Sequence, residues 1–263
     1  MRMIGLIKTP NMLNYDSFIL VNWIWIGIAL LIFPVLLRIT APYGRHIKNS
    51  WGKLTNNRFG WIVMETTSLL VFSIFFLWNG FQHGLLPWIF FTAWVFHYVN
   101  RSYIFPSRIR SKGKKMPLSI MFMAICFNFM NGFLNGHYLG NLSHYNLEWL
   151  WSPQFIVGTL IFVTGMIINM QSDSILIALR KKNAKAYSIP FGKLFNYVSC
   201  PNHLGEIIEW AGFAVMTWSL PGLAFFIWTI INLLPRSLAH HKWYNKEFDN
   251  YPENRKAVIP FII

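Results

Sequence analysis

Hydrophobic residues in this 263-residue chain fall into seven long runs that are separated by polar segments. The runs occupy residues 17–37, 61–78, 85–99, 116–138, 154–170, 205–218 and 220–234. Each run is predicted to form a helix that crosses a bilayer, since a span needs about 20 apolar residues. The third and sixth runs are short, so we expect their helices to extend into the headgroup region. The pattern predicts an all-α polytopic membrane protein of seven transmembrane helices, with a single domain over residues 1–263.

Lys and Arg residues occur only in alternate gaps between these runs. Two precede the first run, five follow the first, six the third, five the fifth and five the seventh. None follows the second, fourth or sixth run. Because cytoplasmic loops retain Lys and Arg, the pattern predicts an N-terminus outside and a C-terminus in the cytosol.

Composition supports the membrane prediction and narrows the class of partner. Hydrophobic residues make up 54% of the chain and charged residues 12%, a balance that suits lipid better than water. The net charge of +14 would suggest nucleic acid in a soluble protein. Beside membrane spans the same charge sets orientation and meets anionic lipid, so no nucleic-acid partner is expected. Neither cysteine has metal-ligand spacing, and no metal site is predicted.

Ionisable and phenolic side chains occur at the cytosolic ends of the second and third runs. Glu65 lies one turn into the second run, where a carboxyl group is costly and is therefore a candidate functional group. Tyr98 and Arg101 lie three residues apart at the end of the third run, on one helical face. The predicted orientation brings Glu65 and Tyr98 to the same membrane surface, where they are expected to form a pair in a lipid-lined cavity.

A polar stripe follows the fifth run, and the segment after it is expected to continue this helix before the chain loops back. Asn169, Asp173 and Arg180 lie within about 40° of one line along a helix. A polar stripe among apolar residues needs a polar partner. Either a bound polar ligand or a network that caps the loop would supply that partner.

The sixth and seventh runs add further polar side chains. Asn202, Glu206 and Glu209 have helical spacings of four and three. Glu206 suits hydrogen bonds from an amide or a sugar, whereas Glu209 is expected to pair with an arginine. His240 and Tyr244 lie four residues apart, just after the seventh run. All of these groups are predicted to lie at the cytosolic surface, which favours a charged cytosolic cofactor that meets an apolar substrate from the bilayer.

Several segments of the chain resemble the steroid 5α-reductase family. The resemblance is carried by Asn-His-Leu-Gly-Glu-Ile-Ile-Glu-Trp at 202–210, Thr-Trp-Ser-Leu-Pro at 217–221 and the tail at 251–261. It continues upstream through 165–173, 97–101 and Tyr-Gly-Arg-His at 43–46. Met64 stands where the family usually has glutamine, so fewer polar contacts to a substrate are expected.

The resemblance implies a seven-helix membrane enzyme that uses NADPH to reduce the Δ4 double bond of 3-oxo-Δ4-steroids, with hydride added at C5 and a proton at C4. It implies that Glu65 and Tyr98 are catalytic and hold the 3-keto oxygen of the steroid. The residues that it places around NADPH are Arg101, Lys114, Asn169, Asp173, Arg180, Tyr187, Asn202, Glu206, His240 and Tyr244. The substrate would enter from the bilayer, and the enzyme is expected to be a monomer in a bacterial inner membrane or in the endoplasmic reticulum.

Three alternative functions are compatible with the sequence. One is a related membrane reductase that acts on an enoyl thioester, a polyprenol or a sterol ring bond. Another is a membrane methyltransferase that uses S-adenosylmethionine, although Ser199-Cys-Pro201 stands where those enzymes have Arg-His-Pro. The third is a non-enzymatic membrane protein whose polar residues fasten its helices together.

Overall fold

The computed structural model describes residues 13–81, 83–109, 113–182 and 187–263. Five Lys and Arg residues of the alternating charge pattern lie outside these ranges, namely Arg2, Lys8, Arg110, Lys112 and Lys185. Within the ranges, seven principal helices confirm the all-α prediction. They are α1 (Tyr15–Arg38), α2 (Asn57–Phe76), α3 (Leu85–Val99), α4 (Leu118–His137), α5 (Pro153–Lys182), α6 (Pro201–Thr217) and α7 (Leu220–Glu247).

Five of the described helices are long and apolar enough to cross a membrane. These spans are Tyr15–Arg38, Asn57–Phe76, Leu118–Leu142, Pro153–Arg180 and Leu220–Glu247. The short helices α3 and α6 are not among them, with 15 and 17 residues. Helix α3 nevertheless continues without a break through a π-helical turn at Asn100–Ile104 and a last turn at Phe105–Arg108. The structure therefore supports a polytopic membrane protein.

The boundaries differ from the predicted runs where polar or β structure adjoins an apolar run. Lys115–Pro117 forms strand β2 and pairs antiparallel with β1 (Leu54–Asn56), so α4 begins at Leu118 rather than at 116. An apolar run alone does not distinguish a short strand from the start of a helix. Helix α6 begins at Pro201, four residues before its apolar run, because proline suits the first position of a helix. The predicted extension of the fifth helix is confirmed as far as Lys182.

Helices α5 and α6 cross with their backbones in contact. A Cβ atom added at any of four glycines would overlap the backbone of the opposite helix. These positions are Gly158, Gly165, Gly205 and Gly212. Small residues at a membrane helix crossing permit this close approach. The crossing fixes the polar residues of α5 against those of α6.

An aromatic core lies between this helix pair and α3. Trp94 is fully buried, and its ring centroid lies 5.1 Å from that of Trp210 and 5.0 Å from that of Phe225. The same cluster includes Tyr98, whose ring lies 5.2 Å from Trp94. The core therefore fixes the C-terminal end of α3 and the phenol that it carries.

Candidate active site

Tyr98 and Glu65 are brought together where α3 packs beside α2. Tyr98 is only 3% exposed, and Glu65 exerts the largest electrostatic influence on its hydroxyl group. The indole of Trp61 ties the two helices by donating to the carbonyl of Arg101 over 3.1 Å. The predicted pair thus has a buried phenol and a carboxyl group within electrostatic range of each other.

Arg101 occupies the π-helical turn that follows α3 and binds acids from two other helices. Its Nη1 donates to Oδ2 of Asp173 over 3.1 Å, and its Nη2 lies 4.0 Å from Oε2 of Glu206. Its guanidinium also lies 4.8 Å from the ring centroid of Phe105. π-Helical turns occur frequently at functional sites because they redirect a side chain. We call Glu65, Tyr98, Arg101, Asp173 and Glu206 the acid cluster.

Asn169 and Asn202 join α5 to α6 beside the acid cluster. The side-chain Nδ2 of Asn169 donates to the backbone carbonyl of Asn202 over 2.9 Å. Asn169 is 2% exposed, and the absent side chain of Gly205 leaves its backbone room. Both predicted asparagines therefore lie at the helix crossing, one turn from Asp173 and Glu206 respectively.

Three cations converge on the ring of Tyr187. The distances to its centroid are 5.1 Å for Arg45, 5.4 Å for Lys114 and 5.9 Å for Arg180. Among the described residues, none of the three forms an ion pair with a carboxylate. Burial and the charges of Arg180 and Arg45 lower the pKa of Lys114. Unpaired, mutually repelling cations favour an anionic ligand.

A small cleft opens among these side chains. Its lining includes Arg45, Arg180, Tyr187 and Tyr244, and we call these residues with Lys114 the cation cleft. Tyr244 accepts a hydrogen bond from Nη2 of Arg45 over 3.2 Å. Asp173 is within electrostatic range of both Arg101 and Arg180, so the cleft adjoins the acid cluster.

His240 lies in a stack of three imidazoles beside the cleft. Its Nδ1 is 2.9 Å from Nε2 of His46, and its ring lies 5.6 Å from that of His203. Burial, with the charges of Arg236 and Arg45, lowers the pKa of His46 to about 4. His46 is therefore neutral at physiological pH and offers one donor and one acceptor.

Comparisons with known proteins decide the family. The sequence profile described as "3-oxo-5-alpha-steroid 4-dehydrogenase" matches residues 114–263. The protein named steroid 5-alpha-reductase DET2 of Gossypium hirsutum is 42% identical over 242 residues, which is 89% of this chain and 93% of the relative. The chain belongs to the steroid 5-alpha-reductase family. The predicted resemblance and the prediction of an oxidoreductase enzyme are thereby confirmed.

Animal members of the steroid 5-alpha-reductase family are similar over almost the same length. The "3-oxo-5-alpha-steroid 4-dehydrogenase 1" of Bos taurus is 36% identical over 90% of this chain and 93% of its own. That of Homo sapiens is 38% identical over 84% of this chain and 86% of its own. These matches extend well beyond the C-terminal half, so the methyltransferase and the non-enzymatic protein are set aside.

Other polar residues of this steroid 5-alpha-reductase join the site without having been predicted as site residues. Arg45 and His46 lie in the segment 43–46 that carried the resemblance, and this is the signal that could have identified them. Arg236 lies beside them, with its guanidinium carbon 3.5 Å from the ring centroid of Tyr43. One nitrogen each of Arg45 and Arg236 is buried without a hydrogen-bond partner among the described residues.

The prediction that Glu209 pairs with an arginine was wrong. Oε1 of Glu209 lies 2.7 Å from Nδ1 of His97, and both side chains are buried, whereas the nearby Arg101 is taken by Asp173 and Glu206. The sequence placed His97 next to Tyr98 but gave no sign that it faces α6. Met64, which replaces the family's glutamine, is 6% exposed in a separate apolar cluster.

Proposed function

We propose that this enzyme uses NADPH to reduce the Δ4 double bond of 3-oxo-Δ4-steroids to 5α-reduced 3-oxosteroids. The observation that carries the proposal is the buried phenol of Tyr98 within electrostatic range of the carboxyl of Glu65, near a cleft of cations that form no ion pair with a carboxylate among the described residues. The Tyr98 phenol with Glu65 suits a carbonyl oxygen in an apolar pocket, and the cations of the cleft suit the phosphates of a dinucleotide. Family membership supports the same reaction.

The donor set fits NADPH. The guanidinium groups of Arg45 and Arg180 and the ammonium group of Lys114 would bind its phosphates. Nη1 of Arg45 is buried and has no hydrogen-bond acceptor among the described residues, so a phosphate oxygen would supply one. Asn202 and Glu206 would bind amide or ribose groups. The remaining residues proposed around the cofactor are Arg101, Asn169, Asp173, Tyr187, His240 and Tyr244. When bound, NADPH supplies a hydride for C5 of the enone.

Tyr98 would stabilise the charge that develops on the steroid's 3-oxygen. Its hydroxyl group donates a hydrogen bond, and the buried position excludes competing water. Glu65 would add a second polar group toward the same oxygen. The aromatic core behind Tyr98 keeps its ring in place, so the donor is preorganised before the substrate arrives.

A direct assay tests the reaction. Purified protein is incubated anaerobically with progesterone and NADPH, and the product is analysed by mass spectrometry for a gain of two hydrogens. A parallel incubation with an enoyl-CoA separates the related-reductase alternative. Reduction of the thioester without reduction of the steroid would overturn the proposed substrate class.

We also propose a single domain of seven spans, with the N-terminus outside and the active site facing the cytosol, in a bacterial inner membrane or the endoplasmic reticulum. The alternating Lys and Arg pattern supports it, and both clusters lie at the ends of the helices that this pattern assigns to the cytosol. Single cysteines at exposed Tyr15 and Glu253, in a chain that lacks its own two, are treated with a membrane-impermeant thiol reagent in sealed vesicles. Labelling of both positions from the same side would contradict this topology.

Binding of NADPH should weaken as pH rises. The lowered pKa of Lys114 means that its charge is complete at acidic pH and is lost before a free lysine would titrate, near pH 10.4. The Kd for NADPH is therefore expected to increase between neutral pH and about pH 10. Titration calorimetry on the wild type and on Lys114→Arg, whose guanidinium stays charged, tests this. Parallel curves for the two proteins would show that Lys114 is not responsible.

A further inference from the structure

The C-terminal segment folds back against the start of α6. Lys256 and Val198 form a parallel β-bridge, and the backbone N–H of Ser199 donates to the carbonyl of Lys256 over 2.8 Å. Cys200 donates in the same way to Ala257 over 3.1 Å. These bonds lie immediately before Pro201, the first residue of α6, so the tail is part of the wall that presents the candidate cofactor residues.

Ser199 links this tail to α7. Its Oγ lies 2.6 Å from the hydroxyl of Tyr251 and 2.7 Å from Nδ1 of His241. It also donates to the carbonyl of Lys256 over 3.1 Å. Tyr251 is 6% exposed, so its hydroxyl has a buried and specific attachment. The ring of Tyr251 is therefore fixed in both position and orientation.

A stack of two tyrosine rings with an arginine at each end runs from the tail to the cation cleft. The guanidinium carbon of Arg255 lies 5.0 Å from the ring centroid of Tyr251, whose ring lies 5.2 Å from Tyr244 at an interplanar angle of 8°. The guanidinium carbon of Arg45 lies 4.5 Å from the ring centroid of Tyr244. Arg255 is 2% exposed and donates to the carbonyl of Pro190 over 3.1 Å.

Arg45 is held by aromatic rings and by its hydrogen bond to the hydroxyl of Tyr244. Its guanidinium carbon lies 5.1 Å, 4.6 Å and 4.5 Å from the ring centroids of Tyr187, Trp243 and Tyr244. No carboxylate in the described part of the chain forms an ion pair with it. Cation–π contacts attract the guanidinium without neutralising its charge. A shift of the Tyr244 ring would therefore move the charge that the cleft offers to an anion.

We propose that Tyr251 and Arg255 are positioning residues for the phosphate-binding cleft, acting through Tyr244 on Arg45. The inference rests on the proposed function, in which Arg45 binds a phosphate of the cofactor. Neither residue lines the cleft, and neither takes part in the ion pairs of the acid cluster. Loss of the Tyr251 ring removes a parallel stacking partner of Tyr244, so the ring shifts and the affinity of the cleft for phosphate falls.

Two variants of one residue separate stacking from hydrogen bonding. Tyr251→Leu removes the ring, whereas Tyr251→Phe keeps the ring and removes the hydroxyl group. Titration calorimetry on the full chain in detergent measures Kd for NADPH and for inorganic pyrophosphate. We expect Tyr251→Leu to raise both constants about tenfold and Tyr251→Phe to raise them less than about threefold. The KM for NADPH should rise with Kd, and kcat at saturating NADPH should fall by a smaller factor.

Matched controls keep the test decisive. Tyr145→Leu removes another partly buried tyrosine, whose hydroxyl donates to the carbonyl of Thr217 far from the stack, and should leave both Kd values unchanged. If Tyr251→Leu does not fold, Arg255→Lys carries the test, because it keeps the charge and loses the planar face. A weakening of both ligands by Arg255→Lys supports the proposal, and wild-type affinities overturn it.

The outcomes distinguish this inference from the proposed function. Wild-type affinities in folded Tyr251→Leu, or equal losses in the Leu and Phe variants, overturn the positioning role even if the wild type reduces steroids. If the wild type binds pyrophosphate in a Tyr251-dependent manner but neither binds NADPH nor reduces a steroid, the positioning role stands and the proposed function fails.

Discussion

Tyr98→Phe is expected to lower kcat about 10²–10³-fold, because the variant lacks the hydroxyl group that donates to the steroid's 3-oxygen. Removing one oxyanion donor typically costs about 2.7–4 kcal/mol of transition-state stabilisation. The ring itself should stay in place, since its contacts with Trp94 and Trp210 do not involve the hydroxyl group. Affinity for NADPH is therefore expected to stay close to that of the wild type. Single-turnover reduction of progesterone and NADPH titration measure the two quantities separately.

Tyr103→Phe is the matched control for this experiment. Tyr103 lies on the same helical segment but is 47% exposed, with its hydroxyl near Thr66. Its loss should leave turnover near the wild-type value. Glu65→Gln should resemble Tyr98→Phe in affecting turnover more than cofactor binding. A Tyr98→Phe enzyme with nearly unchanged kcat would remove Tyr98 from the catalytic role.

Glu209→Leu is expected to destabilise the protein by about 3–5 kcal/mol, the usual cost of removing one partner from a buried ionic pair. Glu209 is 1% exposed and His97 is 5% exposed, so the imidazole would be left without its partner in the core. Because His97 also contacts the rings of Tyr98 and Trp210, the core near the active site should loosen. Thermal unfolding in detergent, monitored by tryptophan fluorescence, gives the change in stability.

A double-mutant cycle separates the loss of the pair from the loss of packing. Replacing both partners, with His97→Phe and Glu209→Leu in one chain, leaves no unpaired polar group and should recover much of the stability. The loss of stability in the double variant is expected to be smaller than the sum of the two single losses, by much more than about 0.5 kcal/mol, the scatter of independent sites. Additive losses would mean that the two side chains do not stabilise each other.

The apolar runs predicted the helices well because membrane helices carry their signal in composition. The first run at 17–37 became Tyr15–Arg38, with the side chain of Asn14 accepting from the backbone N–H of Ser17. Composition failed where a non-helical backbone is apolar, as in the strand Lys115–Pro117. It also gave no indication of the π-helical turn at Asn100–Ile104, since the turn depends on how α3 packs rather than on residue type.

The chemistry of single residues predicted most members of the acid cluster and the cation cleft, but not which residues they would contact. Asp173 stood out in the polar stripe after the fifth run, and Glu206 because acids are rare in apolar runs; the structure places both around Arg101. Which base each acid would face was beyond a linear pattern, and Glu209 met His97 instead of an arginine. Arg45 was overlooked because a basic residue just after a span is normally explained by membrane orientation.

The close crossing of α5 and α6 at their glycines affects how variants of this enzyme will be interpreted. A bulkier residue at Gly158 or Gly212 would wedge α5 and α6 apart several turns from any ligand. Because the carboxamide of Asn169 bridges the same two helices, the displacement would pull apart groups that are proposed to bind the cofactor. A substitution at either glycine would then weaken coenzyme affinity, although the altered side chain does not contact the coenzyme.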